Sequence, residues 1–223
     1  MNQYSYSKNI FSNVPVEFED WGQKDYDEMC SIEKYSYQTY RYFIKDYLTN
    51  HSEITAMDIN CGLGYGLACL KGEYNFKKCI GYNSDQNMLE ACKNRHSGIS
   101  FYKDFILSKQ KDANLIISID AFDQYDNKSV LLLRLSQALA DDGILCIVQN
   151  STHESEYNNF IEILERVHGL KKLHNADITA HVAGGIRKLE NFADGSSSIP
   201  YASVGSKISR YDDFRYYVTI MKR

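Results

Sequence analysis

The sequence lacks the cysteine patterns that mark disulfide frameworks and structural metal sites. Its six cysteines include no CxxC pair, and no secretory signal precedes them. Spacing of this kind argues against a zinc site and a disulfide-stapled fold, so we predict no metal site. We expect free thiols in a reducing compartment and a cytoplasmic location.

Runs of basic residues and long apolar stretches are also missing. No basic run exceeds the pairs Lys77-Lys78 and Lys171-Lys172, and the formal net charge is −4. A surface that tracks phosphates is therefore not visible, and nucleic acid is not an expected partner. The longest apolar stretches have the length of strands, well short of the roughly 20 residues that cross a bilayer. No membrane segment is expected, and the sequence does not indicate an oligomeric state.

What is present fits a single α/β domain. The chain has 223 residues, with 43% hydrophobic and 24% charged residues, which are globular values. We expect one domain over residues 1–223. It would comprise an N-terminal helical cap at 1–50, a core at 51–150 and a C-terminal part at 151–223, with an insertion at about 180–213.

Strand patterns and helix patterns alternate through the core. The predicted strands are ITAMDI, KKCIGYN, ISFYKD, ANLIISID and ILCIVQ, and the predicted helices are YGLACLKGEY, DQNMLEACKNRH and KSVLLLRLSQALA. Ser84 is a candidate N-cap of the second helix. Nearly continuous apolar strands separated by helices indicate a parallel sheet that is covered on both faces.

The two ends of the chain carry different patterns. Apolar positions at helical spacing in residues 24–50 predict one or two helices. Towards the C terminus we expect a helix over roughly 155–168, ended by Gly169, then the strands LKKLHNADIT and FRYYVTIMKR. Six of the 18 tyrosines stand at positions 26, 35, 37, 40, 42 and 47. They predict a lid whose rings line a pocket, although plain helix packing explains at least half of them.

The stretch ITAMDINCGLGYG, residues 54–66, joins the first strand to the first helix. In an open parallel sheet, ligands bind beyond the carboxyl ends of the strands, where this loop lies. Gly62, Gly64 and Gly66 would let another molecule touch the main chain, and the helix that begins near Tyr65 would offer backbone N–H groups. The loop therefore predicts a cofactor site, and a tight turn with close strand–helix packing is the alternative.

Polar residues follow the next two strands. Asn83 ends the second strand, where nucleotide-binding α/β folds place a residue that reaches ribose hydroxyls. After the third strand, Asp104 is suited to accept a hydrogen bond from an exocyclic amine, and Phe105 to cover an aromatic base. A turn aspartate and a core phenylalanine are the alternatives.

As a set, these motifs resemble the class I S-adenosylmethionine-dependent methyltransferases of the small-molecule type. The segments that carry the resemblance are AMDINCGLGYG, IGYNSDQNML, FYKDF, LIISIDAFDQY and LADDGILCIV, which cover about residues 50–150. The resemblance implies a doubly wound, Rossmann-like sheet of seven strands. It would be mostly parallel, with an antiparallel final strand and an N-terminal helical lid.

The resemblance also implies an activity and a set of binding residues. S-adenosyl-L-methionine would donate a methyl group to a small-molecule metabolite and leave as S-adenosyl-L-homocysteine. The implied cofactor residues are Asp58, Asn60, Gly62 and Gly64 near the methionine end, Asn83 and Ser84 near the ribose, Asp104 and Phe105 at the adenine, and Asp120 beside the sulfonium.

Two of these residues depart from the family's pattern. Asn60 stands where the family usually has glycine, and Asn83 where it usually has an acid. Asn60 is tolerable if it adopts a left-handed conformation, which asparagine visits more readily than most residues. Asn83 can still bond a ribose hydroxyl, but without the charge that strengthens such bonds. Nearby Asp85 is a possible substitute.

Methyl transfer from a sulfonium depends mainly on holding donor and acceptor in line in a dry pocket. A hydroxyl or protonated-amine acceptor also requires a base. His153 and Tyr125 are the candidate catalytic residues, and His153 is favoured because its ordinary pKa is nearest neutrality. A surface or capping histidine is the alternative for His153.

Two other functions remain open. The same fold would suit a protein that holds the cofactor for another reaction, or one that has lost methyl transfer, and Asn60 and Asn83 favour this alternative. A nicotinamide-dependent dehydrogenase also uses a glycine-rich loop, but the loop here does not match GxGxxG. The acceptor molecule and its acceptor atom are not identified by the sequence.

Overall fold

The computed structural model describes Tyr37 and residues 40–48, 51–122, 125–151, 154–180 and 215–223. The predicted base His153, most of the expected insertion at 180–213 and the first 36 residues lie outside these ranges. Residues 40–44 are helical and lead into a 3-10 turn at Lys45–Tyr47.

Seven strands and four long helices follow in the alternation that the sequence predicts. The strands are β1 Thr55–Asp58, β2 Lys78–Tyr82, β3 Ser100–Tyr102, β4 Ala113–Ile119, β5 Leu139–Ser151, β6 Lys171–Asp177 and β7 Arg215–Lys222. The helices are α1 Tyr65–Tyr74, α2 Gln86–Arg95, α3 Lys128–Ala138 and α4 Glu154–His168.

The strands form one sheet in the order β3-β2-β1-β4-β5-β7-β6. Strands β1 to β5 are mutually parallel, whereas β7 runs antiparallel to both β5 and β6. The predicted fold class is therefore confirmed. Strand order reverses between β1 and β4, so the loops after these two strands flank the position where such sheets bind ligands.

Helices cover both faces of the sheet and close two apolar cores. On one face Leu67 and Leu70 of α1 pack with Leu63 from the preceding loop and with Tyr40 and Ile44 from the N-terminal segment. The core on the other face is formed by α3 and α4, whose buried residues include Leu131, Leu135, Tyr157, Ile161 and Leu164. Tyr40 is 1% exposed and Ile44 is 0% exposed, so the described part of the predicted cap is built into the core.

An ion pair fastens the N-terminal segment to α1. The Arg41 guanidinium and the Tyr37 hydroxyl both donate hydrogen bonds to the Glu73 carboxylate. The hydrogen bond from Arg41 lowers the pKa of Glu73 to about 2. Tyr37 and Tyr40 therefore hold this segment against α1. Helix packing accounts for the rings of these two tyrosines, which is the alternative to a pocket-lining role.

Two helix ends test the predicted capping residues. The N-cap of α2 is Asp85 rather than the predicted Ser84, because the Asp85 side chain accepts a hydrogen bond of 2.9 Å from the backbone N–H of Met88. Gly169 follows α4 with φ of 68°, as expected of a helix stop. Among the helices that the structure describes, none is long and apolar enough to span a membrane.

Candidate active site

The glycine loop runs from the end of β1 to the start of α1 at the carboxyl edge of the sheet. Gly64 is the residue before α1, with φ of 77° in the left-handed region, and no side chain caps the helix. A non-glycine residue would be strained in this conformation. The helix N terminus therefore faces the ligand-binding edge without a capping side chain at its N-cap residue.

Side chains from β2 and α2 hold this loop. The Asn83 amide donates a hydrogen bond of 2.9 Å to the Gly62 carbonyl, and the Cys92 thiol donates to the same oxygen at 3.3 Å. His96 Nε2 lies 2.9 Å from the Leu63 carbonyl, and burial lowers the pKa of His96. The path of the loop is thus fixed by protein contacts before any ligand binds.

Protein atoms occupy the space beside two of the three glycines. A Cβ on Gly64 would lie 3.0 Å from the Phe101 ring and 3.1 Å from His96. A Cβ on Gly66 would overlap the Tyr40 hydroxyl oxygen. Close packing therefore accounts for the missing side chains at Gly64 and Gly66, which is the alternative to ligand contact that the sequence leaves open.

Asn60 differs from its expected conformation. It is not among the residues with positive φ, so the left-handed backbone that was expected for it is wrong. Its side-chain amide instead donates a hydrogen bond of 3.0 Å to the Ile119 carbonyl at the end of β4. Asn60 thus ties the loop after β1 to the neighbouring central strand, a role that glycine could not fill.

Asp58 is the buried acid at the end of β1, with 4% of its surface exposed. Its Oδ1 accepts one hydrogen bond of 3.1 Å from the backbone N–H of Asn60. Burial raises the pKa of Asp58 from 3.8 to about 7, and the Asn60 N–H opposes this shift only in part. A carboxylate in this state gains from a cationic or hydrogen-bonding partner.

Asn83 has little hydrogen-bonding capacity left for a ligand. Its Nδ2 contacts the Gly62 carbonyl and the Met88 sulfur, and its Oδ1 accepts a hydrogen bond of 2.9 Å from the Asp85 N–H. The side chain is buried, at 6% exposure. An amide can donate to the Gly62 carbonyl and a carboxylate cannot, which gives a physical reason for asparagine at this position.

Asp104 and Phe105 follow β3 but have unlike surroundings. Asp104 Oδ1 accepts hydrogen bonds from the Ile106 and Leu107 N–H groups, whereas its Oδ2 has no hydrogen bond within the described residues. Asp104 also lines a pocket of about 320 Å³. Phe105 is 0% exposed, with its ring packed against Tyr82 and the Arg134 guanidinium. In this arrangement the Phe105 ring has no surface with which to cover a base.

Asp120 and Tyr125 lie at the end of β4. Asp120 is 0% exposed with φ of 45°, and its Oδ2 accepts a hydrogen bond of 3.1 Å from the Tyr216 hydroxyl of β7. The Tyr125 hydroxyl lies 3.4 Å from the Ile59 carbonyl, over the loop after β1. Burial raises the pKa of Tyr125, so at neutral pH its phenol keeps the proton and can donate a hydrogen bond.

The structure thus brings Asp58, Asn60, Gly62, Asn83 and Tyr125 together around one loop. Ser84 is exposed beside them. Within the described ranges, no group of three or more His, Cys, Asp or Glu side chains could hold a metal ion. Sequence reasoning did not assign Cys92, His96 or Tyr216, since their roles arise from partners distant in the chain.

Comparison with known proteins places this fold in a wider group. No family model matches the chain, and neither does any curated protein. Solved structures do match. The geranyl diphosphate C-methyltransferase from Streptomyces coelicolor A3(2), in complex with Mg²⁺, geranyl diphosphate and S-adenosyl-L-homocysteine, is 12% identical, with a TM-score of 0.68 over 96% of this chain and 87% of that one.

Two further solved structures widen the range of reactions. Phosphoethanolamine N-methyltransferase 2 from Haemonchus contortus, in complex with phosphomonomethylethanolamine and S-adenosylhomocysteine, is 16% identical, with a TM-score of 0.66 over 93% of this chain and 60% of that one. The (4+2)-cyclase SpnF is 13% identical, with a TM-score of 0.63 over 83% and 80%. The chain therefore has the fold of the class I S-adenosylmethionine-dependent methyltransferases, and identities this low establish the fold alone.

Proposed function

We propose that this protein uses S-adenosyl-L-methionine to methylate a small-molecule metabolite. One observation carries the proposal: a buried, under-bonded carboxylate, Asp58, stands beside an uncapped helix N terminus at the point where strand order reverses. This is the place where open α/β sheets bind their ligands. The methyltransferases of the same fold, some solved with S-adenosylhomocysteine, support the choice of cofactor.

Several of the residues present would suit parts of such a cofactor. Asp58 would attract the ammonium group of the methionine end, because pairing with a cation relieves the cost of burying its charge. The ribose would lie near Asn83 and Ser84, with Asn83 shaping the loop more than bonding the sugar. The adenine amino group would donate to Asp104 Oδ2, which accepts no hydrogen bond from the described residues. Phe105 would support this end from the core, and Asp120 the sulfonium end.

The cofactor would supply an electrophilic methyl group on a sulfonium. The chain's own contribution would be to hold the acceptor in line and exclude water. Tyr125 would orient the acceptor by donating a hydrogen bond, since burial keeps its phenol protonated. If the acceptor must lose a proton, His153 remains the proposed base.

A second candidate function is a different reaction on the same bound cofactor. The (4+2)-cyclase shares the fold, so the fold does not require methyl transfer. Asn83 also holds the loop after β1, in place of the acid that such methyltransferases usually have near the ribose. Cofactor binding is common to both candidates, and only turnover separates them.

Native mass spectrometry of the purified protein tests the proposal. We expect a one-to-one mass shift with S-adenosyl-L-methionine or S-adenosyl-L-homocysteine and none with NAD⁺ or NADH. Incubation of the loaded protein with a metabolite extract should then release S-adenosyl-L-homocysteine. A folded protein that binds neither sulfur nucleoside would overturn the proposal, while binding without release of product would favour the second candidate.

A further inference from the structure

The hydroxyl of Tyr40 is buried without a partner. Tyr40 is 1% exposed, and its oxygen makes no hydrogen bond in the part of the chain that the structure describes. An unpaired buried hydroxyl is costly, whereas phenylalanine would fill the same space without that cost. Because the ring alone satisfies the packing, the hydroxyl calls for a separate explanation.

The hydroxyl is aimed at the start of α1. It lies against Gly66 in the first turn, so closely that a Cβ there would overlap the oxygen. Helix α1 spans ten residues, has no acidic residue in its first turn and has no side-chain cap. The N terminus of such a helix attracts anions through its backbone N–H groups and its dipole. A hydroxyl donor and an uncapped helix end therefore converge on one place.

The protonation state of Tyr40 fits a donor role. Burial, and then the nearby Asp58 carboxylate, raise the pKa of Tyr40 well above its ordinary value. At neutral pH the phenol keeps its proton and can give a hydrogen bond to an anion. The neighbouring Asp58 would favour a positively charged group, because a buried carboxylate is stabilised by a cation.

We propose that Tyr40 is a specificity-determining residue whose hydroxyl, with the N terminus of α1, receives the carboxylate of an α-amino acid group while Asp58 receives its ammonium. The inference rests on the proposed function, since the amino acid group would be the methionine end of the cofactor. It adds a residue from the N-terminal segment that the sequence assigned only to a lid. The site would thereby select the complete zwitterion over truncated cofactors.

Two cofactors that differ by one group test this assignment. S-adenosyl-L-methionine carries the carboxylate, and decarboxylated S-adenosylmethionine keeps the ammonium and sulfonium but lacks it. Calorimetric affinities for both ligands are measured with the wild type, Tyr40→Phe and the control Tyr37→Phe. Tyr37 lies on the same segment, but its hydroxyl bonds Glu73 instead.

We expect Tyr40→Phe to weaken S-adenosyl-L-methionine binding by about tenfold or more, because it removes a hydrogen bond to a charged group. Decarboxylated ligand should bind that variant and the wild type alike, and Tyr37→Phe should keep the wild-type preference. Equal weakening of both ligands would show a structural role and overturn the assignment, as would unchanged affinities. If neither ligand binds the folded wild type, the proposed function fails instead.

Discussion

Two buried acids close the neighbouring central strands, and their surroundings differ. Asp120, after β4, is held by the Tyr216 hydroxyl, which reaches from β7 past β5, and its backbone is left-handed. Among the described residues, Asp58, at the end of β1, has one hydrogen bond, from the Asn60 N–H of its own loop. Both acids look alike in the sequence, since each ends an apolar strand at the ligand-binding edge.

Under the proposed function, the difference separates a structural acid, Asp120, from a ligand-binding acid, Asp58. The Asp120 carboxylate helps to join β4 to β7, because it accepts a hydrogen bond from the Tyr216 hydroxyl within the protein. Asp58 is left with a pKa raised by burial to about 7, which a bound cation would lower again. We therefore expect changes around the loop after β1 to alter ligand binding, and changes at Asp120 to alter stability.

The largest expected effect comes from a side chain in the glycine loop. Gly64→Val should abolish cofactor binding and lower the free energy of unfolding by about 2 kcal/mol, because φ is positive and the Phe101 ring is in the way. Gly72→Val is the matched control, since a Cβ at Gly72 meets nothing within 4 Å. Calorimetry and urea unfolding measure both effects. Retained cofactor affinity in a folded Gly64→Val variant would show that binding does not depend on the loop after β1.

The titration of Asp58 gives the second effect, in the ligand-free protein. Asp58 ionises near pH 4 in the unfolded chain, but the folded protein keeps the proton up to about pH 7. The folded state therefore binds more protons in this range, and the free energy of unfolding should fall as pH rises from about 4 to about 7. Urea unfolding across this range should show a shallower fall for Asp58→Asn. Asp126→Asn, at an exposed position, is the control variant.

The third effect tests the contact between the Tyr40 hydroxyl and Gly66 at the start of α1. Gly66→Ala should destabilise the wild type by about 1–3 kcal/mol, because the new methyl group meets the Tyr40 hydroxyl. In a Tyr40→Phe background the nearest atom that remains is the ring carbon Cζ, at 3.4 Å. There the same change should cost nothing or stabilise by up to about 1 kcal/mol, as alanine favours helices. Equal costs in both backgrounds, measured by thermal unfolding, would contradict this packing.

The smallest effect concerns Asn83. Asn83→Asp places a carboxylate against the Gly62 carbonyl, where the amide now donates. We expect cofactor affinity to fall about fivefold, or roughly 1 kcal/mol, although an acid is what the family usually has here. Asn87→Asp, at an exposed position in the first turn of α2, serves as control. Tighter binding by Asn83→Asp would mean that the residue bonds ribose directly.

Local signals sufficed for most of the individual helices and strands. The predicted segment YGLACLKGEY coincides with α1, Tyr65–Tyr74, because its start after Gly64 and its apolar spacing are properties of neighbouring residues. The antiparallel final strand was predicted through the family resemblance and is also present. Much of the site could not be predicted in this way. The donation from Asn83 to Gly62 and the fit of Tyr40 against Gly66 join residues that are distant in the chain.

The contrast between the two acids is tested most directly by titrating S-adenosyl-L-homocysteine into the wild type, Asp58→Asn and Asp120→Asn at neutral pH. We predict one-site binding by the wild type, at least tenfold weaker binding by Asp58→Asn, and an affinity for Asp120→Asn within about threefold of the wild type. Asp120→Asn should instead lose about 1 kcal/mol of stability, since its bond to Tyr216 loses its charge. Wild-type affinity in Asp58→Asn, or a loss confined to Asp120→Asn, would contradict the account.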